Sequence, residues 1–280
     1  MSAEIGAAIE CTRGVATLTD GGSLAYEIHG RLDRRVPLLL IRPLGGTMAL
    51  WGSFRDALAE TFPIVAFDLR GTGGSTGESG WPTTRRIAAD AVALLDHLAV
   101  TRAHVFGVSL GGMAATWMGI DAGDRVATLC IASAPARGLD LTRIGARRAV
   151  AMTACFAHPS AEVEARLVHQ TLSRHFRREH PDQVRRVEAQ IREQPTARTT
   201  LVRHAVAGAL HDARGHLRRI ASPCLVLAGA LDELVGTAAP RQLAQGIAGA
   251  SFDIVAEAGH GITLEQPLAS AARVARWLRA

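Results

Sequence analysis

One stretch constrains this chain more than any other: Val105-Phe106-Gly107-Val108-Ser109-Leu110-Gly111-Gly112. An apolar run of strand length ends in Gly-x-Ser-x-Gly and leads into the alanine-rich segment Met113 to Ile120. It reads as a buried strand, a tight turn and a helix, with one hydroxyl at the apex. Glycines at 107 and 111 suit a serine held in strained backbone, because side chains two positions to either side would collide. The backbone N–H of Leu110, at the start of the helix, points where negative charge would develop on a substrate oxygen. The pentapeptide alone also fits an ordinary strand-to-helix turn, so its meaning depends on what surrounds it.

The surrounding chain repeats the same alternation. Thr12 to Asp20 and Leu24 to Gly30, joined by Asp20-Gly21-Gly22-Ser23, read as a hairpin. Val36 to Ile41 and Ile64 to Asp68 are continuous apolar runs of the kind that form central parallel strands, with a helix from about Leu50 to Glu60 between them. Thr84 to Leu98 carries one apolar stripe of Ile87, Ala91, Leu94, Leu95 and Leu98, and Val126 to Ala132 is a further buried strand. Apolar strand, glycine-rich loop and helix in succession mark a βαβ layout with helices on both faces of a sheet.

After Ala134-Pro135 the pattern changes. From Arg143 to Asp212 there is no convincing strand, only charged helical segments interrupted at Pro159, Pro181 and Pro195. Strand character returns at Pro223 to Ala228, then a helix from Thr237 to Ile247, a strand from Phe252 to Ala256 and a last helix from Ala269 to Arg279. The two strand-bearing blocks need each other to close one core. We therefore divide the chain into a core of residues 1–135 and 217–280 and an inserted helical cap, or lid, of residues 136–216.

Composition removes several classes. With 48% hydrophobic and 20% charged residues over 280 positions, the chain is neither disordered nor fibrous. No apolar run approaches membrane-spanning length and Met1 to Glu10 lacks the pattern of a secretory leader, so a cytoplasmic protein without membrane contacts is expected. The net charge of +5 hints at nucleic acid, but lysine is absent and the arginine pairs are interleaved with acids and lack stacking aromatics. No nucleic-acid partner is expected. Cys11, Cys130, Cys155 and Cys224 are widely spaced, and Cys130 and Cys224 lie in strand-like runs as buried free thiols. The glycine run from Gly71 places Thr76 where a dinucleotide fingerprint needs its third glycine, and a phosphate-binding loop lacks its lysine. His169, His175, His180, His204, His211 and His216, in or near the lid, show no metal-ligand spacing and read as surface or lid-contact residues. Neither a cofactor nor a metal is expected.

A serine hydroxyl needs a base within hydrogen-bond reach, and the base needs an acid to hold its tautomer. Two later strands supply both at their ends. Leu225 to Ala228 runs into Gly229-Ala230-Leu231-Asp232, and Phe252 to Ala256 into Glu257-Ala258-Gly259-His260. In an open α/β sheet, ligands bind beyond the carboxyl ends of the strands, which puts Ser109, Asp232 and His260 on one edge in that chain order. Asp140 is an alternative acid; Glu233 and Glu265 read as loop-surface residues.

With these residues in place, the chain resembles the α/β-hydrolase superfamily, and within it the 3-oxoadipate enol-lactonase-like and haloperoxidase-like serine esterases. The resemblance rests on Asp68-Leu69-Arg70-Gly71 with Gly73 and Ser75, on Gly107 to Ala115, on Gly229 to Asp232, and on Gly259-His260 followed by Leu264-Glu265-Gln266-Pro267. It implies an eight-stranded, mostly parallel sheet flanked by helices, with an inserted helical lid. It also implies Ser109 as nucleophile, His260 as base, Asp232 as acid, and the backbone N–H groups of Leu44 and Leu110 as oxyanion hole. A serine at this position argues against dehalogenases and epoxide hydrolases of the same fold. One departure stands out: the family's His-Gly after the third strand is Arg42-Pro43 here. The oxyanion donor would be the following residue, so Leu44 can still serve. Arg42 either orders that loop in place of the histidine or turns its charge to the pocket.

The expected activity is cleavage of a small carboxylic ester or lactone, with Arg42, Trp81, Phe156 and Trp117 as substrate-binding residues. Two alternatives stay open: a non-hydrolytic tailoring enzyme performing acyl transfer, cyclisation or lyase chemistry, and a non-catalytic binding or receptor protein. Nothing in the pattern selects between a monomer and a homo-oligomer.

Overall fold

A computed structural model describes residues 9–33, 35–77, 81–138, 154, 157–158 and 160–279. Eight strands form a single sheet. They are β1 (Cys11–Thr17), β2 (Ser23–His29), β3 (Leu38–Ile41), β4 (Ile64–Phe67), β5 (Ala103–Val108), β6 (Val126–Ala132), β7 (Cys224–Gly229) and β8 (Ser251–Val255). Their spatial order is β1-β2-β4-β3-β5-β6-β7-β8. The hairpin β1/β2 and the β2/β4 pair are antiparallel, and every later pair is parallel.

Alternation along the central strands explains the layers. Leu39, Ile41, Val65 and Phe67 point into one apolar cluster, while Leu38, Leu40, Ile64 and Ala66 point into another on the opposite face. Helices α2 (Thr84–His97), α3 (Leu110–Asp121) and α8 (Ala238–Gly246) cover the first face. Helices α1 (Gly52–Ala59) and α10 (Pro267–Arg279) cover the second. The start of α2 is set by Thr83, whose hydroxyl accepts the Arg86 N–H at 3.0 Å. Between β6 and β7 lie α4 (Ser160–Thr171), α5 (Arg174–Glu179), α6 (Pro181–Glu193) and α7 (Arg198–Ala209). Among the described residues of this stretch there is no strand, only helices and one isolated bridge at Arg137 and Asp212.

Boundaries differ from expectation at several places, among them the end of the first strand, which stops at Thr17 and not at Asp20. The third strand starts at Leu38, since Val36 is 40% exposed. Helix α3 begins at Leu110, three residues before the alanine-rich segment, because Ser109 alone makes the turn. A short helix, α9 (Ile262–Glu265), follows β8 and had no periodic pattern long enough to reveal it. No helix among the described residues is long and apolar enough to cross a membrane.

The glycine-rich stretch after β4 is a structural knot. Asp68 is buried, and its carboxylate accepts the N–H groups of Met48 at 2.7 Å and Gly74 at 3.1 Å, tying the loops after β3 and β4 together. Gly73 adopts φ 49°, and a side chain there would strike that carboxylate. Arg70 forks onto Asp90 and Asp20, and the Ser75 hydroxyl bridges the Asp68 carbonyl to the Ala25 N–H.

Candidate active site

Ser109 is the single residue between β5 and α3 and holds φ 55°, ψ −117°, a backbone conformation that costs a non-glycine residue on the order of 1–3 kcal/mol. The neighbourhood enforces it. Its N–H donates to the Ala132 carbonyl at 2.9 Å and its carbonyl accepts the Met113 N–H at 3.0 Å. A side chain at Gly111 would collide with the carbonyl oxygens of Ile41 and Arg42, and one at Gly107 with the Gly111 carbonyl. The turn is thus packed directly against the loop that leaves β3.

Ser109 Oγ lies 2.8 Å from His260 Nε2, and His260 Nδ1 lies 2.9 Å from Asp232 Oδ2. Asp232 sits just beyond β7 and His260 just beyond β8, both buried. The other carboxylate oxygen of Asp232 accepts the N–H groups of Leu234 at 2.8 Å and Val235 at 2.9 Å. Burial by itself would raise the Asp232 carboxyl, but the adjacent His260 and these donors outweigh it and hold the group below the usual carboxylate range. An ionised Asp232 keeps the His260 proton on Nδ1, which leaves Nε2 free to accept from the serine hydroxyl.

Ser109 and His260 open on a cavity of about 150 Å³. Its wall is mostly apolar, with Leu44, Leu50 and Val108 from the core and Leu167, Val168 and Ala205 from α4 and α7. Leu110 opens α3, so its N–H has no carbonyl one turn earlier to meet. Arg42, Pro43 and Leu44 border the same cavity.

Two buried carboxylates fasten the inserted helices to the loops that carry these groups. Glu164 of α4 accepts hydrogen bonds from the N–H of Gly46, from the Thr196 N–H at 2.7 Å and from the Thr196 hydroxyl at 3.1 Å. Glu265 of α9 accepts from Gly259 N–H at 2.9 Å, beside His260, and from Ser173 N–H at 3.1 Å. The Ser173 hydroxyl donates to the same carboxylate at 2.5 Å. Glu265 is therefore not a surface residue: it is 4% exposed, because it closes the backbone of the histidine loop. Glu233 is exposed, the loop-surface residue expected, and pairs with Arg174 at 3.4 Å. Sequence reasoning missed Glu164 altogether, since a single acid in a charged helix carries no mark of burial.

Two expected pocket residues fall elsewhere. Trp117 is buried in α3 with Arg85 5.1 Å above its ring and His211 and His216 against it, and it does not line the cavity. Trp81 is 67% exposed, facing Arg203. Phe156 and the alternative acid Asp140 lie outside the described residues. Cys130 and Cys224 are buried free thiols as expected, with burial pushing Cys224 up to about 12. Among the described residues one trio of metal-ligating types meets, Cys11, Glu27 and His29 on the outer hairpin. Its carboxylate is already paired with Arg55 at 2.5 Å.

The histidines at 204 and 211 are buried rather than at the surface. His211 Nδ1 is hydrogen-bonded to the Thr84 hydroxyl at 2.8 Å, and burial lowers its pKa from 6.5 to about 4. The unfolded chain then binds a proton that the folded one refuses, so stability falls as pH drops from about 6.5 towards 4. Between pH 7 and pH 5 the share of His211 is a loss of about 2 kcal/mol. Urea titrations at the two pH values should show a flatter dependence in a His211→Gln variant by about that amount. An identical pH slope in variant and parent would show that His211 plays no part.

A family model described as alpha/beta hydrolase fold matches residues 36–267 of this chain. The chain belongs to the α/β-hydrolase family. Among related proteins, "Putative carbamate hydrolase RutD" of Caulobacter vibrioides is 31% identical over 256 residues, covering 87% of this chain and 91% of that protein. The 3-oxoadipate enol-lactonase 2 of Acinetobacter baylyi is 26% identical, covering 88% and 90%. Among solved structures, a hydrolase from Pseudomonas aeruginosa PA01 superposes with a TM-score of 0.82 at 30% identity, over 96% of this α/β-hydrolase and 98% of that chain. The expected fold, with its eight mostly parallel strands, is the observed one.

Proposed function

We propose that this α/β-hydrolase is a serine hydrolase that cleaves a small-molecule carboxylic ester or lactone through an acyl-enzyme on Ser109. The observation that carries the reading is the unbroken chain Ser109 Oγ, His260 Nε2, His260 Nδ1 and Asp232, with bonds of 2.8 and 2.9 Å, opening on an apolar cavity.

In the proposed cycle, Ser109 Oγ attacks the acyl carbon as its proton passes to His260 Nε2. The carbonyl oxygen becomes an oxyanion held by the N–H groups of Leu110 and Leu44. Collapse of the intermediate breaks the ester bond, and the protonated His260 gives its proton to the departing alkoxide. Water then attacks the acyl-enzyme, losing a proton to His260, and the acid leaves as Ser109 is restored. Pro43 removes one N–H from the oxyanion loop but leaves that of Leu44, and Glu164 holds the same loop through Gly46. The names of the two relatives, a carbamate hydrolase and an enol-lactonase, both denote attack on an acyl carbon, as this cycle requires. Residues 136–216 form the proposed lid over residues 1–135 and 217–280, and Arg42 is the proposed substrate contact, while Trp81 and Trp117 lie off the cavity.

Incubation with a fluorophosphonate should add the phosphonyl group to the peptide that contains Ser109, and a Ser109→Ala variant should remain unlabelled. Folded parent protein that takes no label would leave the non-catalytic reading in its place.

A further inference from the structure

A buried arginine lines the cavity beside Ser109. Arg42 is 5% exposed and lines the same space as the serine. Its own hydrogen bonding is incomplete: Nη2 makes one long bond of 3.5 Å to the Gly45 carbonyl, and Nε has no partner among the described residues. The Trp51 ring lies 5.2 Å from the guanidinium carbon and offers its π face, which attracts the cation but accepts no conventional hydrogen bond.

Two acids stand close enough to favour the charged form, yet both are committed to other donors. Asp68 is taken by the N–H groups of Met48 and Gly74, and Glu164 by Thr196 and Gly46. Neither forms an ion pair with Arg42 among the described residues. Burial lowers the Arg42 pKa to about 10, against the pull of Asp68 and Glu164, so the side chain is a cation at neutral pH. A buried cation with unused donors is expensive, and an apolar side chain of similar size would fill this place at lower cost. The arrangement makes sense when an incoming group completes it, and a planar carboxylate matches the guanidinium fork.

We propose that Arg42 is the anion-recognising end of the acyl pocket, so that the substrate is an ester or lactone whose short acyl part carries a carboxylate. This rests on the reading of Ser109 as the nucleophile. The apolar wall of Leu44, Leu167 and Val168 takes the methylenes between the two ends, and Arg42 sets both the class and the orientation of the substrate.

The test compares monoethyl glutarate with ethyl pentanoate, near-isosteric esters that differ in the terminal carboxylate, by pH-stat. The parent protein should favour the glutarate ester in kcat/KM by at least about tenfold, through KM, as a charge-assisted hydrogen bond would give. In Arg42→Met the ratio of the two kcat/KM values should fall to about one, with Arg42→Lys between. A parent ratio near one, or a ratio that Arg42→Met leaves unchanged, overturns the proposal. So does failure to hydrolyse either ester by protein whose Ser109 takes the fluorophosphonate. Failure of that labelling instead removes the nucleophile on which the proposal stands. Should Arg42→Met not fold, inhibition of the parent by the amide analogues of the two esters decides: N-ethylglutaramate should bind at least about tenfold more tightly than N-ethylpentanamide, which lacks the carboxylate, and equal inhibition overturns it.

Discussion

An Asp232→Asn protein is expected to fold normally and to lose turnover by on the order of 10⁴-fold, with little change in KM. The reason lies in which atoms the side chain serves. One carboxylate oxygen is fixed by the N–H groups of Leu234 and Val235, and the other faces His260 Nδ1. Asparagine keeps the shape and leaves its carbonyl on the two N–H donors, so its amide group must face the ring. His260 then accepts at Nδ1 and carries its proton on Nε2, where it can no longer take one from Ser109. Steady-state kinetics on a turned-over ester and near-UV circular dichroism check the two halves of this expectation. A loss below about tenfold would mean that another acid sets the tautomer.

The second large effect is on folding. Gly111→Ala places a methyl group onto the carbonyl oxygens of Ile41, the last residue of the central strand β3, and Arg42, the first of the loop that follows, and this backbone cannot yield as a flexible side chain would. The helix α3 must move off the sheet, and we expect a loss of about 3 kcal/mol or more, a large part of ordinary domain stability. For a chain of this size that lowers Tm by on the order of 10 °C. Gly123→Ala is the control, since a side chain there meets nothing within 4 Å, and it should change stability by less than about 0.5 kcal/mol. Differential scanning fluorimetry of the pair reads the difference, and matched melting temperatures would contradict the packing argument.

Both variants touch features that the chain announces locally. The elbow is a contiguous motif, and the glycines at 107 and 111 are required by clashes within and beside it. Asp232 and His260 follow directly on apolar runs whose length and composition mark them as strands, and parallel strands in one sheet deliver their ends to one edge. That is why Ser109, Asp232 and His260 are legible in the sequence as one cluster, although the serine and the histidine stand 151 positions apart.

Side chains whose roles depend on what packs against them were not legible in that way. Trp117 has the composition of a pocket residue, but helix α3 turns it towards Arg85, His211 and His216. Glu265 sits among loop residues and is nonetheless buried, because Ser173 reaches it from 92 positions away. Glu164 meets Gly46 across 118 positions. Hydrophobic periodicity records which face of an element is covered, but it does not record which polar group will meet which across such a distance.

By itself, then, the sequence determined which strands lead to the turn at Ser109 and to its two partners, and their order, since each depends on short-range backbone geometry and on the period of apolar residues. Only the tertiary structure decided that Arg42 is buried beside Ser109 with donors unspent, and that two carboxylates join the inserted helices to the loops around the serine. Burial and hydrogen-bond satisfaction are properties of the packed whole, fixed only when segments distant in the chain come into contact.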